Sequence, residues 1–260
     1  MAATRTTWWR RSSRPLRGRS PRRVTVTAAL TRSRPPKACC EVTVGAPSHV
    51  PPRVAVVDYG MGNLASVAKA LARSGADVRV TQSAAEVRGA AGVVLPGVGA
   101  FGDAAARLEQ TGLGAVVLER IAAGTPFLGV CLGLQLLFES SSEGGRRPGL
   151  GVLGGTVELL PTDLKVPHIG WNDLEWGPAG AGMARGLPAP AIVYFVHSYA
   201  ALPTDPAVVA ATTDYGGRVV AAVARDNVWA VQFHPEKSSA VGLQLLGNFV
   251  ATIRQEAGLS

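Results

Sequence analysis

Phe127-Leu-Gly-Val-Cys131-Leu-Gly133-Leu-Gln135 begins as a short apolar strand, passes a cysteine with glycine two residues to either side, and continues as a helical pattern to about Glu139. The spacing G-x-C-x-G is the cysteine version of a nucleophile elbow, a sharp strand-to-helix turn that lifts its central residue out of a sheet. Geometry explains the residue types. The central residue sits in strained backbone space, and flanking glycines remove side chains that would collide. The sulfur then lies at a helix N-terminus, where the dipole favours a thiolate. Taken alone, the same pattern equally suits an ordinary buried cysteine.

Elements upstream of this turn alternate in type. Val54–Val57 reads as a buried strand, and Asn63 is placed to cap a helix through about Arg73 that Gly75 stops. Asp77–Thr81 and Gly92–Leu95 read as further strands, and a helical stretch covers about 102–123 with a break near Gly112 and Gly114. Strands alternating with helices predict a mainly parallel sheet with helices on both faces. Downstream the texture changes to turn-separated strands at Thr156–Leu160, Leu174–Trp176, Ile192–Ala200, Val208–Thr213 and the pair Arg218–Ala224/Val228–Phe233, with Asp226-Asn227 as its hairpin turn. A last helix covers about Ser239–Glu256. The reading is one α/β domain over 53–260, with antiparallel additions to the parallel core.

Residues 1–52 differ from the rest. They hold ten arginines and one lysine against a single acid, Glu41, whereas 53–260 hold fifteen basic and seventeen acidic residues. The chain's net charge of +8 therefore belongs to its head, and the near-neutral body gives no reason to expect nucleic-acid binding. No apolar or alternating period persists in the head, which predicts a disordered extension or an artefact of too early a start. A transit-like segment or a weak polyanion-binding arm are the sharper readings. No apolar run approaches the roughly 18–20 residues that span a bilayer, so no membrane partner is expected. Of the three cysteines only Cys131 lies in the body, which suits a reducing, cytoplasmic setting.

Two more segments carry chemistry. A thiolate that cleaves an amide needs a base that returns a proton to the leaving amine. His234-Pro235-Glu236 follows the strand ending at Phe233, and residues i and i+2 of an extended segment share a face, so Glu236 is placed to orient the imidazole. Of the body's histidines, His168, His197 and His234, only His234 has a carboxylate at this spacing. A solvated His–Glu pair at a strand end is the bland alternative. Leu95-Pro-Gly-Val-Gly99 ends another parallel strand, where ligands bind in such sheets. Its amides, with the N–H of Leu132, would form an oxyanion hole; a plain tight turn is the alternative. No metal-ligand spacing is visible and no cofactor is called for.

In this order, the three pieces resemble the class I (triad) glutamine amidotransferases. The phrases Asp58-Tyr-Gly-Met-Gly-Asn63, Pro96-Gly-Val-Gly-Ala-Phe-Gly102, Pro167-His-Ile-Gly-Trp-Asn172, Tyr194-Phe-Val-His-Ser-Tyr199 and Gln232-Phe-His-Pro-Glu-Lys-Ser238 are similar to the glutaminase subunits of imidazole glycerol phosphate synthases. The resemblance implies a flavodoxin-like fold and hydrolysis of L-glutamine to glutamate and ammonia, with Cys131 as nucleophile, His234 as base and acid, and Glu236 orienting it. It also implies oxyanion contacts from Val98 and Leu132 and substrate contacts from Gly99, Gln135, Ser198 and Tyr199. The implied partner is a separate (β/α)8-barrel cyclase, met as a heterodimer. Asn63, His168, Trp171, Tyr194 and Lys237 fall in segments that would face the cyclase or the ammonia route. Amidotransferases serving GMP, anthranilate or pyridoxal phosphate synthesis are the rival reading, as is a non-catalytic subunit on the same fold.

Overall fold

Runs of valine that are buried on both sides form the spine of the structure, a computed structural model that describes residues 50–259. The expectations for the basic head, apart from its last three residues, lie outside the described residues. In chain order the first elements are β1 (Arg53–Val57), α1 (Leu64–Arg73), β2 (Asp77–Thr81), α2 (Ala84–Arg88), β3 (Gly92–Gly97), α3 (Phe101–Thr111) and α4 (Leu113–Ala122). They continue with β4 (Phe127–Cys131), α5 (Leu132–Gln135), β5 (Phe138–Ser141), β6 (Arg147–Pro148), β7 (Leu153–Leu159) and β8 (His168–Trp176). The last are β9 (Ala191–His197), β10 (Tyr199–Pro203), β11 (Val209–Asp214), β12 (Arg218–Arg225), β13 (Val228–Val231) and α6 (Ser239–Glu256).

The main sheet runs β2-β1-β3-β4-β13-β12-β11-β8-β9. Its first five strands are parallel and the rest pair antiparallel. The parallel block has the flavodoxin-like order, in which the chain doubles back on either side of β1. Alternation along β1 shows why helices cover both faces. Val54 and Val56 pack into one core with Leu71 of α1 and Phe249 and Ile253 of α6. Ala55 and Val57 pack into another with Val87 of α2, Leu108 of α3 and Val117 of α4. A strand buried on both faces has no polar face to show, which is why these segments read as continuous apolar runs. At Gly112 the backbone turns left-handed (φ 70°) and separates α3 from α4, as the glycines there predict.

Several expectations need correction. The helix after the elbow is one turn, Leu132–Gln135, and does not reach Glu139. Phe138–Ser141 leaves it to pair with β7, so long-range strand pairing overrides a helical local pattern. The stretch 192–200 is two strands. It breaks at Ser198, where β9 leaves the main sheet and β10 enters a second, four-stranded one of order β10-β7-β5-β6. That smaller sheet, and the short α2 capped by Ser83, were not foreseen. β8 starts at His168 and pairs with β9 from His168↔His197 to Leu174↔Ala191, so it is far longer than its three apolar-flanked residues suggest.

Candidate active site

Cys131 ends β4, and its backbone has φ 55° and ψ −106°. For a residue with a side chain, a positive φ costs on the order of 1–2 kcal/mol. The turn persists because its neighbours leave no other path. A Cβ on Gly133 would overlap the Leu95 carbonyl oxygen of β3, and one on Gly129 would lie 2.7 Å from the Gly133 oxygen. Both glycines are thus required by backbone contact, as the elbow reading predicts. Cys131 is buried and is the free thiol of the described residues.

β13 lies next to β4 with Val231 opposite Val130, so the chain beyond it passes beside the sulfur. His234 and Glu236 follow. His234 Nδ1 is 2.8 Å from Glu236 Oε1, with the two side chains 3% and 1% exposed. The contact arises differently from the i, i+2 argument. Only His234 is extended, and Pro235–Lys237 forms one turn of 3-10 helix that folds the carboxylate back onto the ring. Backbone bonds fix the histidine on both sides. Its N–H donates to the Tyr194 carbonyl (2.9 Å), and its carbonyl accepts from Ser238 Oγ (2.7 Å), which in turn accepts from the Tyr194 N–H (3.0 Å).

Burial is the largest single influence on the His234 imidazole, and it acts to lower its pKa. The Cys131 sulfur and the Glu236 carboxylate together outweigh it and raise the value from 6.5 to about 9. His234 Nε2 closes no hydrogen bond in the structure. We therefore read the influence of Cys131 as attraction by a nearby charge, rather than as a formed Sγ···Nε2 bond. Burial, reinforced by the same sulfur, also pushes the Tyr59 hydroxyl above its ordinary range. That hydroxyl sits against Gly97, at the base of the 97–99 loop.

A cavity of about 300 Å³ opens in front of the sulfur. Cys131, His234, Val98, Gly99, Leu132, Gln135, Ser198 and Tyr199 all border it, so eight positions chosen from the sequence converge on one space. Gly97 pairs directly with Cys131 across β3 and β4, which brings the 97–99 loop alongside that residue. Sequence reasoning missed Glu143 and His197 in the same wall. Glu143 Oε2 accepts from the Phe101 N–H (2.8 Å), capping α3, and so holds a carboxylate at the cavity edge. No local pattern around Ser142-Glu143-Gly144 signals that role, because it depends on the fold of the loop.

The five residues assigned to a partner face or ammonia route separate into three groups. Asn63 borders a narrow crevice with Gly97, His234 and Glu236. Trp171 is 54% exposed, its ring edge-on to Tyr194 at 5.9 Å, and Lys237 Nζ lies 5.7 Å from the Tyr194 ring centre. His168 is interior. It is 3% exposed, stacks on Tyr215 at 3.9 Å and Phe195 at 4.7 Å, and bonds His197 at 3.1 Å.

The family model described as glutamine amidotransferase class-I matches residues 55–253. The imidazole glycerol phosphate synthase subunit HisH of Moorella thermoacetica is 51% identical over 201 residues, covering 77% of this chain and 95% of that protein. The subunit of the same name from Aquifex aeolicus is 53% identical over 198 residues, covering 76% and 95%. Among solved structures, one described as a glutamine amidotransferase aligns with a TM-score of 0.61 at 23% identity, over 79% of this chain and 98% of that one. That likeness concerns the fold alone.

Proposed function

The chain belongs to the class-I glutamine amidotransferase family, and from that premise we propose that it is the glutaminase subunit of an imidazole glycerol phosphate synthase, acting in histidine biosynthesis. The observation that carries the chemistry is the placing of Cys131, on a strained elbow, beside the buried His234–Glu236 pair in one cavity. Half-identity to HisH subunits along nearly their whole length supports the pathway.

The reaction follows from the site. Cys131 Sγ, as thiolate, attacks the side-chain amide carbon of glutamine. Charge moves onto the amide oxygen, which N–H groups of the 97–99 loop and Leu132 receive. The C–N bond breaks as His234 Nε2–H gives its proton to the departing ammonia. The neutral imidazole then takes a proton from water, hydroxide adds to the thioester, and Sγ leaves as glutamate forms. Glu236 keeps the ring in one tautomer and stabilises its charged form. Ser198, Tyr199, Gly99 and Gln135 line the space for the rest of the substrate, and the Glu143 carboxylate suits its α-ammonium.

A partner must consume the ammonia. The reading assigns a (β/α)8-barrel cyclase subunit that turns a phosphoribosyl substrate into imidazole glycerol phosphate and an aminoimidazole carboxamide ribotide. It docks near Trp171, Tyr194 and Lys237, with Asn63 beside the ammonia exit and His168 supporting that face from within. A single thiol among the described residues that must stay reduced fits a cytoplasmic site of action. The test is glutamate release with and without such a cyclase and its ligand. Strong stimulation, lost in Cys131→Ala while the thermal melt persists, is the expected result. Activity that ignores the cyclase would assign the chain to another synthase.

A further inference from the structure

Gln232 is fully buried immediately after β13, the strand beside the nucleophile, and the chemistry above gives it nothing to do. Its Nε2 lies 3.7 Å from Cys131 Sγ, within reach for a hydrogen bond to sulfur, and its Oε1 lies 3.0 Å from Gln135 Nε2. Gln135 Nε2 also lies 3.0 Å from the Tyr199 carbonyl oxygen. The ends of an amide side chain must be assigned from their partners, and here the partners leave one solution. A carbonyl oxygen only accepts, so the nitrogen of Gln135 faces Tyr199. That same nitrogen donates its second hydrogen to Gln232, so Gln232 presents its oxygen to Gln135. Its nitrogen is left to donate to the sulfur.

The far end of this chain is equally determined. His197 Nδ1 is 2.9 Å from the Tyr199 oxygen and must donate to it. Burial first, and then the charges of neighbouring histidines, keep His197 neutral, with its pKa down at about 4. Its Nε2 is therefore bare and accepts from His168 Nδ1 at 3.1 Å. The Tyr199 carbonyl is thus held by two donors, and the Gln135–Gln232 pair is fixed to a rigid point.

We propose that Gln232 is a positioning residue for the amidotransferase reaction, whose side-chain N–H, aligned through Gln135 and the Tyr199 carbonyl, donates to Cys131 Sγ and stabilises its thiolate against the thiol. This rests on the glutaminase reading for its use, but not for its existence. A donor to an ionised acceptor is stronger than one to a neutral acceptor, so the bond favours the thiolate. His234 lies near the sulfur beyond β13, Tyr59 beyond β1, and Glu143 and His197 in the cavity wall, with Glu236 behind His234. A substitution at 232 replaces none of these five titratable groups.

The experiment is the pH dependence of Cys131 alkylation by iodoacetamide in the full chain, followed on the Cys131 peptide by mass so that Cys39 and Cys40 do not interfere. Gln232→Met keeps length and removes the donor. Its alkylation midpoint should rise by about one pH unit, a tenfold loss of reactivity below the midpoint. Gln232→Glu, with a carboxylate against the sulfur, should move further in the same direction. Glutaminase KM should change less than kcat. Unmoved midpoints in both variants would overturn the proposal, and so would a lowered melting temperature with no shift. If neither variant folds, Gln135→Met leaves β13 intact but frees the Gln232 amide to turn. A smaller upward shift supports the relay, and none rejects it. Wild-type protein without glutaminase activity even with the cyclase and its ligand, alongside variants whose midpoint shifts, would preserve the hydrogen bond and reject the functional reading. An active enzyme with an unmoved midpoint would do the reverse.

Discussion

Replacing Glu236 by Gln changes the charge beside His234 while leaving an oxygen that can still accept from Nδ1. The magnitude follows from the site. The carboxylate is 1% exposed and 2.8 Å from the ring, so its bond to an imidazolium is charge-assisted and buried. Such bonds contribute roughly 1.5–3 kcal/mol, and one pH unit corresponds to about 1.4 kcal/mol. The imidazole, held at about 9 in the native protein, should therefore fall by one to two units. In kcat/KM against pH, the descending alkaline limb should start near 9 in the wild type and move down by that amount in Glu236→Gln. Below the limb, kcat should fall by about 10- to 100-fold, because the same charge stabilises the ring as it takes a proton from water in hydrolysis of the thioester. His234→Ala, which removes the acid and base altogether, should cost more. Stability gives an independent check. A histidine whose folded pKa exceeds its unfolded 6.5 adds stability that is complete below 6.5 and is lost as pH rises through about 9, here up to roughly 3 kcal/mol. Urea melts at either end of that window should differ by less in Glu236→Gln than in the wild type. Superimposable rate profiles for the two proteins would refute the account of why His234 is charged.

Other consequences are shorter to state. Gly133→Ala drives a methyl into the Leu95 carbonyl and should cost about 3 kcal/mol or more. Gly124→Ala, with φ 79° and nothing within 4 Å, should cost only about 1–2 kcal/mol, and equal effects in denaturant melts would argue against the elbow contacts. Glu143→Gln keeps an acceptor for the Phe101 N–H but loses the charge facing the substrate ammonium. Initial-rate kinetics should give a glutamine KM roughly tenfold or more higher at similar kcat, and a fall in kcat alone would move Glu143 out of the substrate site. Ser238→Ala strands the buried Tyr194 N–H and the His234 carbonyl and should lower stability by about 1–3 kcal/mol. A thermal melt matching the wild type would show that these groups find other partners.

What could be read from the chain follows the range of the forces involved. The elbow was legible because strand, glycines and cysteine are consecutive, and each glycine answers to a contact within the same turn or with the adjoining strand. The parallel core was legible because strands buried on both faces leave no polar residue in the run. The His–Glu contact was anticipated, although a 3-10 turn produces it rather than an extended segment. Gln232, His197 and Glu143 were passed over because each acquires its role from a residue distant in sequence: Cys131 at 101 positions, His168 at 29 and Phe101 at 42. The helix predicted to Glu139 failed for the same reason, since Phe138 and Ser140 answer to Leu153 and Thr156 across a sheet the local pattern does not announce.

The same range of forces explains where the fold leaves polar groups unpaired. Among the described residues six buried side-chain atoms lack a protein partner, and two of them, His234 Nε2 and Glu236 Oε2, belong to the buried His–Glu pair, while a third, Tyr59 Oη, lies beside the 97–99 loop. Two others are the Nε atoms of Arg120 and Arg254, whose terminal nitrogens are bonded elsewhere, and the sixth is Trp176 Nε1. Three of the six thus gather where Cys131 also holds a positive φ. Buried atoms without partners and strained backbone both destabilise a fold, and they persist where the surroundings over-determine them. Here the surroundings do so through backbone. β3 and β13 flank the elbow, and Tyr194 grips His234 through both its N–H, by way of Ser238, and its carbonyl. Tyr194 also carries the ring that meets Trp171 and Lys237 at the surface. One residue of β9 therefore joins the exposed rim to His234 through two short hydrogen-bonded paths, one direct from its carbonyl and one through the Ser238 hydroxyl.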